Sequence, residues 1–473
     1  MINSNNKDKK NKDISKYIVS SLAVFAFVIC FIQITPVYLW DEAVFLSSAE
    51  NLDSNTPYYS EIDYRPPLII VLIYLISLVL NIETGSQILI SLFFSAAIIG
   101  IFLLAKELFN KKVGVISSIL LISAPFILHW TPKIMNDIPA LTLSLFLFYF
   151  LFKWKNTGKN LFLIFGGIFC GLSFLMRFTS LMFIPLSFIV LILISSSLKK
   201  KIKSVSYFLL STILVCLPYI LWVELTQGSF ISLILKAQKI AAESIPMVIN
   251  PVFYLEAAFM IVALPCILGL LIYISNLIIN KDKILKSEIF LILWFLSFLI
   301  YFSLTPHKEV RYFLPAIPPL FILSAYGYSK LKKQYFKIIT IFAILLFVIS
   351  YLHFGYFSGA DNFEEQKMFN RSSELKNASG YLKEIISKNS TIYTHTLYPA
   401  IAYYTKIETR ATWPWDEDFY KEFPKNMPKA GYYIDIKDTG KEPNKEWIKN
   451  NTYFKIIKEF SYFDLYEYSY PLI

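Results

Sequence analysis

Tyr17 to Ala43 reads YIVSSLAVFAFVICFIQITPVYLWDEA: an apolar run as far as Pro36, then two adjacent carboxylates, Asp41 and Glu42. A run of this length is what an α-helix needs to cross a hydrocarbon layer of ~30 Å. Acidic groups at such a boundary lose hydration, so a chain keeps them there when their charge serves a substrate, an ion or a proton. A structural role competes with that reading. Asp41 is placed to cap a helix over Glu42 to Leu52, where Phe45, Leu46, Ala49 and Leu52 recur at helical spacing. The two roles are compatible, because a helix N-terminus that steadies a carboxylate also keeps it ionised.

Similar apolar runs fill most of the chain. Of 473 residues, 56% are hydrophobic, and the mean hydropathy is +0.53, too apolar for a water-soluble chain of this size. The expected fold class is mainly α, a polytopic transmembrane helical bundle with a small C-terminal soluble α/β domain. The formal net charge of +11 does not point to nucleic acid, because its lysines fall in clusters between apolar runs, the positive-inside pattern of cytoplasmic loops. The clusters are at 106–112, 153–159, 199–203, 281–286 and 330–337, with two apolar runs between neighbours. The crossings read as 17–36, 86–105, 113–128, 138–152, 161–176, 181–198, 204–222, 252–279, 288–304, 313–328 and 338–356, about eleven by hydropathy. Pro66 to Leu80 does not fit the lysine count as a crossing and reads as a segment lying along, or dipping into, the outer face. Its Pro66-Pro67 opening suits a helix start.

The expected organisation is a basic cytoplasmic N-terminus (1–16), a transmembrane catalytic domain (17–356) with an outer loop over 37–85, and an extracytoplasmic α/β domain (357–473). The basic start leads into the first crossing without a small-residue cleavage pattern, which reads as a signal anchor in a multi-pass protein of the cell membrane. Cys30, Cys170, Cys216 and Cys266 all lie within apolar runs and read as small buried hydrophobes.

Sorting charges by expected side gathers Asp41, Glu42, Arg65, Asp137, Arg177, His307, Lys308, Glu309 and Arg311 at the outer boundary. Helix packing can bring such residues round one polar cavity between apolar walls. Arg65 stands before two prolines that restrict its approach, or else anchors a headgroup. Arg177, in Leu175-Met176-Arg177-Phe178, either joins the cavity or snorkels. The His307-Lys308-Glu309-Val310-Arg311-Tyr312 stretch opposes the positive-inside tendency and points to an anion. Asp137 stands where it could cap the helix from Ile138, with His129 and Lys133 before it. A divalent metal on Asp41, Asp137 and His129 is left open, since no specific ligand spacing is present.

Taken in order, Trp40-Asp41-Glu42-Ala43, Tyr64-Arg65-Pro66-Pro67-Leu68, Asp137-Ile138-Pro139, Leu175-Met176-Arg177 and His307 to Pro315 resemble the GT-C glycosyltransferases, nearest in pattern to protein O-mannosyltransferases and bacterial aminoarabinose lipid A transferases. The resemblance spans roughly the first 320 residues. It implies an inverting transferase that moves a sugar from a polyprenyl (dolichyl or undecaprenyl) phosphate donor to an acceptor hydroxyl of a protein, glycan or lipid at the outer face. It implies that Asp41 is the catalytic carboxylate, Asp137 a second acidic residue, and Arg65, Arg177, His307, Lys308 and Arg311 the donor-phosphate ligands. Glu42 is the partner of Asp41 in the acidic pair, and Tyr64, His129, Lys133 and Tyr312 are candidates for the rest of the pocket.

The residue types fit that chemistry: displacement at an anomeric carbon needs a base for the hydroxyl and fixed cations for a departing phosphate. A nucleotide sugar fits less well, since no Gly-rich phosphate loop is present. A transporter or flippase would place ionisable groups at mid-membrane on broken helices, and Glu224 and Glu256 are the few to consider. A non-catalytic assembly protein that binds a lipid head group is the third reading.

Overall fold

The computed structural model describes residues 14–33, 37, 40–53, 65–194, 197–243, 252–279, 283–305, 308–388, 390–412, 430–439, 443 and 445–469. Its N-terminal part is helical: α1 (Ile14–Ile32), α2 (Trp40–Glu50), α3 (Pro67–Ser77), α4 (Ile82–Leu108), α5 (Lys111–Ile122), α6 (Pro125–Trp130), α7 (Asp137–Thr157), α8 (Leu161–Met176), α9 (Phe183–Ile194), α10 (Leu198–Gln227), α11 (Phe230–Glu243), α12 (Phe253–Ile279), α13 (Lys286–Leu304) and α14 (Pro318–Ser329). Short 3-10 helices at Phe178–Met182 and Val310–Ala316 join α8 to α9 and α13 to α14. Among the described residues six helices are long and apolar enough to cross a membrane: α1, α4, α7, α10, α12 and α13.

Local sequence sets the ends. Asn81 accepts from the N–H groups of Glu83 and Thr84 at the start of α4, Asn110 caps α5, and Gly158 closes α7 in the left-handed conformation at φ 71°. Prolines break two expected crossings. The run 113–128 divides into α5 and α6 at Pro125, and 313–328 begins as a 3-10 helix before Pro318 and Pro319 open α14. The expected surface segment is α3, with Pro67 in its first turn; its 11 residues are about 16 Å of helix, half a hydrocarbon layer. Helix α11 lies between the expected crossings 204–222 and 252–279.

Where backbones come closest, glycine stands at the contact. A Cβ on Gly167 of α8 would lie 2.3 Å from the Phe208 carbonyl of α10, and one on Gly327 of α14 would lie 2.3 Å from the Gly269 carbonyl of α12. The basic loops meet at one end of the bundle. Lys112 donates to the Ser329 carbonyl at 3.3 Å, Lys153 to Glu107 at 2.8 Å, and Ser287 to the Leu108 carbonyl at 3.3 Å. The N-termini of α2 and α7 and the C-termini of α8 and α13 lie at the other end.

From α14 the chain enters α15 (Lys333–Ile385), one helix of 53 residues that runs without a break through the expected boundary at 356/357. Beyond it come β1 (Ile392–Thr394), α16 (Tyr398–Thr405), β2 (Thr409–Ala411), β3 (Ala430–Ile436), α17 (Lys445–Asn450), β4 (Phe454–Glu459) and β5 (Phe463–Ser469). The strands form one mixed sheet in the order β2-β1-β3-β5-β4, with β1, β2 and β3 parallel and β5 antiparallel to both neighbours. The small C-terminal α/β domain expected from composition is built on this sheet. One apolar core joins the sheet domain to the bundle, running from Ile69, Phe94 and Phe148 through Leu382, Ile401 and Tyr404 to Phe463.

Candidate functional site

Asp41 lies in the first turn of α2, one residue inside the helix and not before it. Its two oxygens are taken by two arginines distant in sequence: Arg65 Nη1 donates to Oδ1 and Arg311 Nη2 to Oδ2, each at 2.8 Å. Arg65 immediately precedes the proline pair that starts α3, and Arg311 lies on the 3-10 helix after α13. The proline pair restricts the backbone on which the Arg65 guanidinium is carried.

Arg311 extends the network. Its Nε pairs with Glu309, its Nη1 reaches Met135 Sδ at 3.6 Å and lies 3.8 Å from Asp137 Oδ2, and its guanidinium lies 5.5 Å from the Trp130 ring and 5.3 Å from the Tyr312 ring. Arg177, in extended conformation at the end of α8, pairs with Asp137 Oδ1 and stacks 4.9 Å from the Tyr312 ring. Asp137 therefore does not act as a helix cap: it is the first residue of α7, and its carboxylate turns to Arg177. Asn136 ties the same corner by donating to the Met176 carbonyl at 3.0 Å. Among the described residues no donor lies within hydrogen-bond distance of the buried Asp137 Oδ2, and Arg311 Nη1 faces it at 3.8 Å.

The network alternates in sign, with Arg65, Arg177 and Arg311 set against Asp41, Asp137 and Glu309. Three cations and three carboxylates make the described cluster formally neutral, the condition under which so many charges can share a half-buried site. The side chains of Asp41, Arg311 and Asp137 are only 16%, 11% and 3% exposed. Burial pushes the Asp41 carboxyl up, but Arg311 and Arg65 outweigh it and hold the group below the usual aspartate range.

Several expected site residues are engaged elsewhere. Glu42 is fully buried and accepts from the Ile134 N–H at 2.8 Å, fixing the loop before α7. A carboxylate one position along a helix from Asp41 projects about 100° away from it, which is why the pair does not share a target. Lys308 donates to the carbonyls of Ser303 and Thr305, both at 3.0 Å, closing the C-terminus of α13. Lys133 is 1% exposed, bonded to His129 Nε2 at 2.9 Å and 4.3 Å from the Trp130 ring. Tyr312 does line the cluster and donates to Glu309 at 3.0 Å. Tyr64 and His307 lie outside the described residues.

Glu309, counted at the boundary but given no role by the sequence reading, is a full member of the network. Tyr254, which accepts from the Glu309 N–H at 3.3 Å, was missed, since a tyrosine inside an apolar run carries no signal of its own. Among the described residues no three His, Cys, Asp or Glu side chains converge to hold a metal; Asp41 and Asp137 are bridged by a guanidinium instead.

Two family models match separate parts of the chain: that for dolichyl-phosphate-mannose-protein mannosyltransferases over residues 64–222, and that for Alg9-like mannosyltransferases over residues 249–388. No curated protein matches the sequence. Among solved structures, ArnT from Cupriavidus metallidurans bound to undecaprenyl phosphate is similar over 96% of this chain and 98% of its own, with TM-score 0.70 and 10% identity. Archaeal oligosaccharyltransferase AglB from Archaeoglobus fulgidus, in complex with an inhibitory peptide and a dolichol-phosphate, is similar over 90% of this chain and 70% of its own, with TM-score 0.56 and 14% identity. Arabinofuranosyltransferase AftD from Mycobacteria covers 96% of this chain with 40% of its own length, at TM-score 0.60 and 10% identity.

Proposed function

We propose that this chain, whose fold is that of the GT-C membrane glycosyltransferases, transfers a sugar from a polyprenyl phosphate to an acceptor hydroxyl, with inversion, at the extracytoplasmic face. The carrying observation is the grip of Arg65 and Arg311 on Asp41 beside the Arg177–Asp137 pair. Support for the sidedness comes from the basic loops, which meet at the opposite end of the bundle.

The charge balance shapes the mechanism. A sugar-bearing polyprenyl phosphate is a diester with one negative charge, so its entry into a neutral cluster exchanges partners: Arg65 and Arg311 turn toward the phosphate and release Asp41. Freed of two cations, Asp41 becomes a stronger base. The acceptor oxygen then forms its bond to the anomeric carbon as the bond from that carbon to the phosphate oxygen breaks, and the hydroxyl proton passes to Asp41. The polyprenyl phosphate leaves with one more negative charge than the diester carried, and the arginines stabilise that added charge. No general acid is needed for such a leaving group. Asp137 holds Arg177 in place.

The test incubates membranes containing the protein with labelled undecaprenyl-phosphate hexoses and pentoses and follows label into protein, glycan and lipid fractions. Label carried by one fraction supports the reading and identifies the acceptor class. If only water-soluble nucleotide sugars deliver label, the lipid donor is wrong. Asp41→Asn lowers transfer by about 10²- to 10⁴-fold while retaining undecaprenyl phosphate binding; transfer at the wild-type rate removes Asp41 as the base.

A further inference from the structure

The sheet domain meets the bundle at the helix that carries Asp41. Its α16 packs along α2 and holds that helix at both ends. Before α2, the Val37 N–H donates to the Tyr404 hydroxyl at 3.1 Å, and the same hydroxyl donates back to the Val37 carbonyl at 3.3 Å. At the first residue of α2, the Tyr398 ring meets the Trp40 ring edge-on, with centroids 4.2 Å apart. At its last, Lys406 pairs with Glu50 while lying 4.1 Å from the Tyr403 ring. A second attachment fixes α16 to the bundle, since Tyr403 donates to Glu83 at 3.2 Å and Lys376 to the same carboxylate at 2.6 Å. Tyr403 and Tyr404 are 3% and 5% exposed. The helix itself is bounded by left-handed residues at Leu397 (φ 55°) and Lys406 (φ 58°), a conformation that L-residues hold only where the surroundings demand it.

We infer that the C-terminal domain is a splint for the catalytic carboxylate: Tyr404 and Tyr398 are positioning residues that set the start of α2, and with it the direction in which Asp41 faces the arginines. The inference rests on Asp41 being the base proposed above. A hydroxyl that accepts from the N–H and donates to the carbonyl of one residue holds that residue's backbone from both sides, and Asp41 lies four residues further along. Without donor, the two carboxylate oxygens of Asp41 meet separate guanidinium groups, so a small rotation of α2 breaks one contact or the other and also misdirects the carboxylate once the arginines turn to the phosphate. A displacement near 1 Å at a reacting group costs on the order of 10²-fold in rate.

The test compares Tyr404→Phe with the parent protein in the full chain. Removing only the hydroxyl lowers kcat by about 10- to 100-fold, leaves undecaprenyl phosphate binding as tight as in the parent or tighter, since Arg65 and Arg311 are more readily given up, and moves the acid limb of kcat/KM to higher pH as Asp41 loosens from them. An unchanged kcat overturns the inference, and so does an equal loss of kcat and lipid affinity with an unmoved acid limb, which is general loosening. The charge pair gives a second route should Tyr404→Phe not fold: Lys406→Glu lowers kcat and the exchange Lys406→Glu with Glu50→Lys restores it, while failure to restore overturns the splint. Asp41→Asn run in parallel separates the two readings. If it still transfers, Asp41 is not the base; if it is inactive while Tyr404→Phe is normal, only the splint fails.

Discussion

Arg311 serves three carboxylates with one guanidinium, through Nη2 to Asp41, Nε to Glu309 and Nη1 toward Asp137. Because the described cluster is balanced, removing a negative charge from it frees a positive one. Glu309→Gln should therefore tighten undecaprenyl phosphate binding by about three- to tenfold, and Arg311→Gln should weaken it by at least as much. Titration of both variants with undecaprenyl phosphate checks the opposite signs, and equal signs would contradict the charge balance. Acid acts through the same groups. The folded-state pKa of Asp41 is depressed, so its pairing contributes stability that is present above the unfolded aspartate value of about 3.9 and is lost as the pH falls through the lower folded value. Asp41→Asn removes that share of acid sensitivity, visible in thermal midpoints measured across acidic pH. Charge at a membrane boundary is conspicuous in sequence, which made Asp41, Arg65, Asp137, Arg177 and Arg311 legible. The direction of a side chain is not conspicuous, and Glu42 and Lys308, equally charged and equally placed, turn to backbone groups at Ile134 and at the end of α13.

At the scale of elements, hydropathy and proline placed most helices, because burial in lipid and the loss of an N–H are local properties of the chain. The seams between helices were less visible. The α12–α14 contact depends on Gly327 and Gly269, more than fifty residues apart, and nothing local tells a glycine that meets another backbone from one at an open surface such as Gly380. Gly327→Ala would place a methyl 2.3 Å from the Gly269 carbonyl, so α14 must move. The expected destabilisation is about 1–3 kcal/mol, read as a lower thermal midpoint in detergent. Gly380→Ala meets nothing within 4 Å and replaces a glycine in the interior of α15, so it should leave the midpoint unchanged or raise it. The contact of α16 with α2 is the other feature hidden from sequence, since Tyr404 and Val37 are 367 positions apart.

For the whole molecule, composition separates an apolar part from a polar one, yet the structure joins the two through one core and one rod. α15 exposes Ile338, Ile341, Phe342, Leu345 and Ile349 on its first half and delivers Leu375, Ala378 and Leu382 to the shared core on its second. At 1.5 Å per residue its 53 residues reach about 80 Å, so tilting the rod by a single degree swings its far end by about 1.4 Å. Its neighbour α12 is long and apolar enough to cross a membrane and packs against α15, and such helices tilt to match the lipid around them. Vesicles made from short, medium and long acyl chains should accordingly support different turnover numbers at equal donor occupancy, with an optimum at one chain length. Bilayer thickness would thereby enter the kinetics of the proposed transfer, and a cell that alters its fatty acids would retune this protein without touching its sequence.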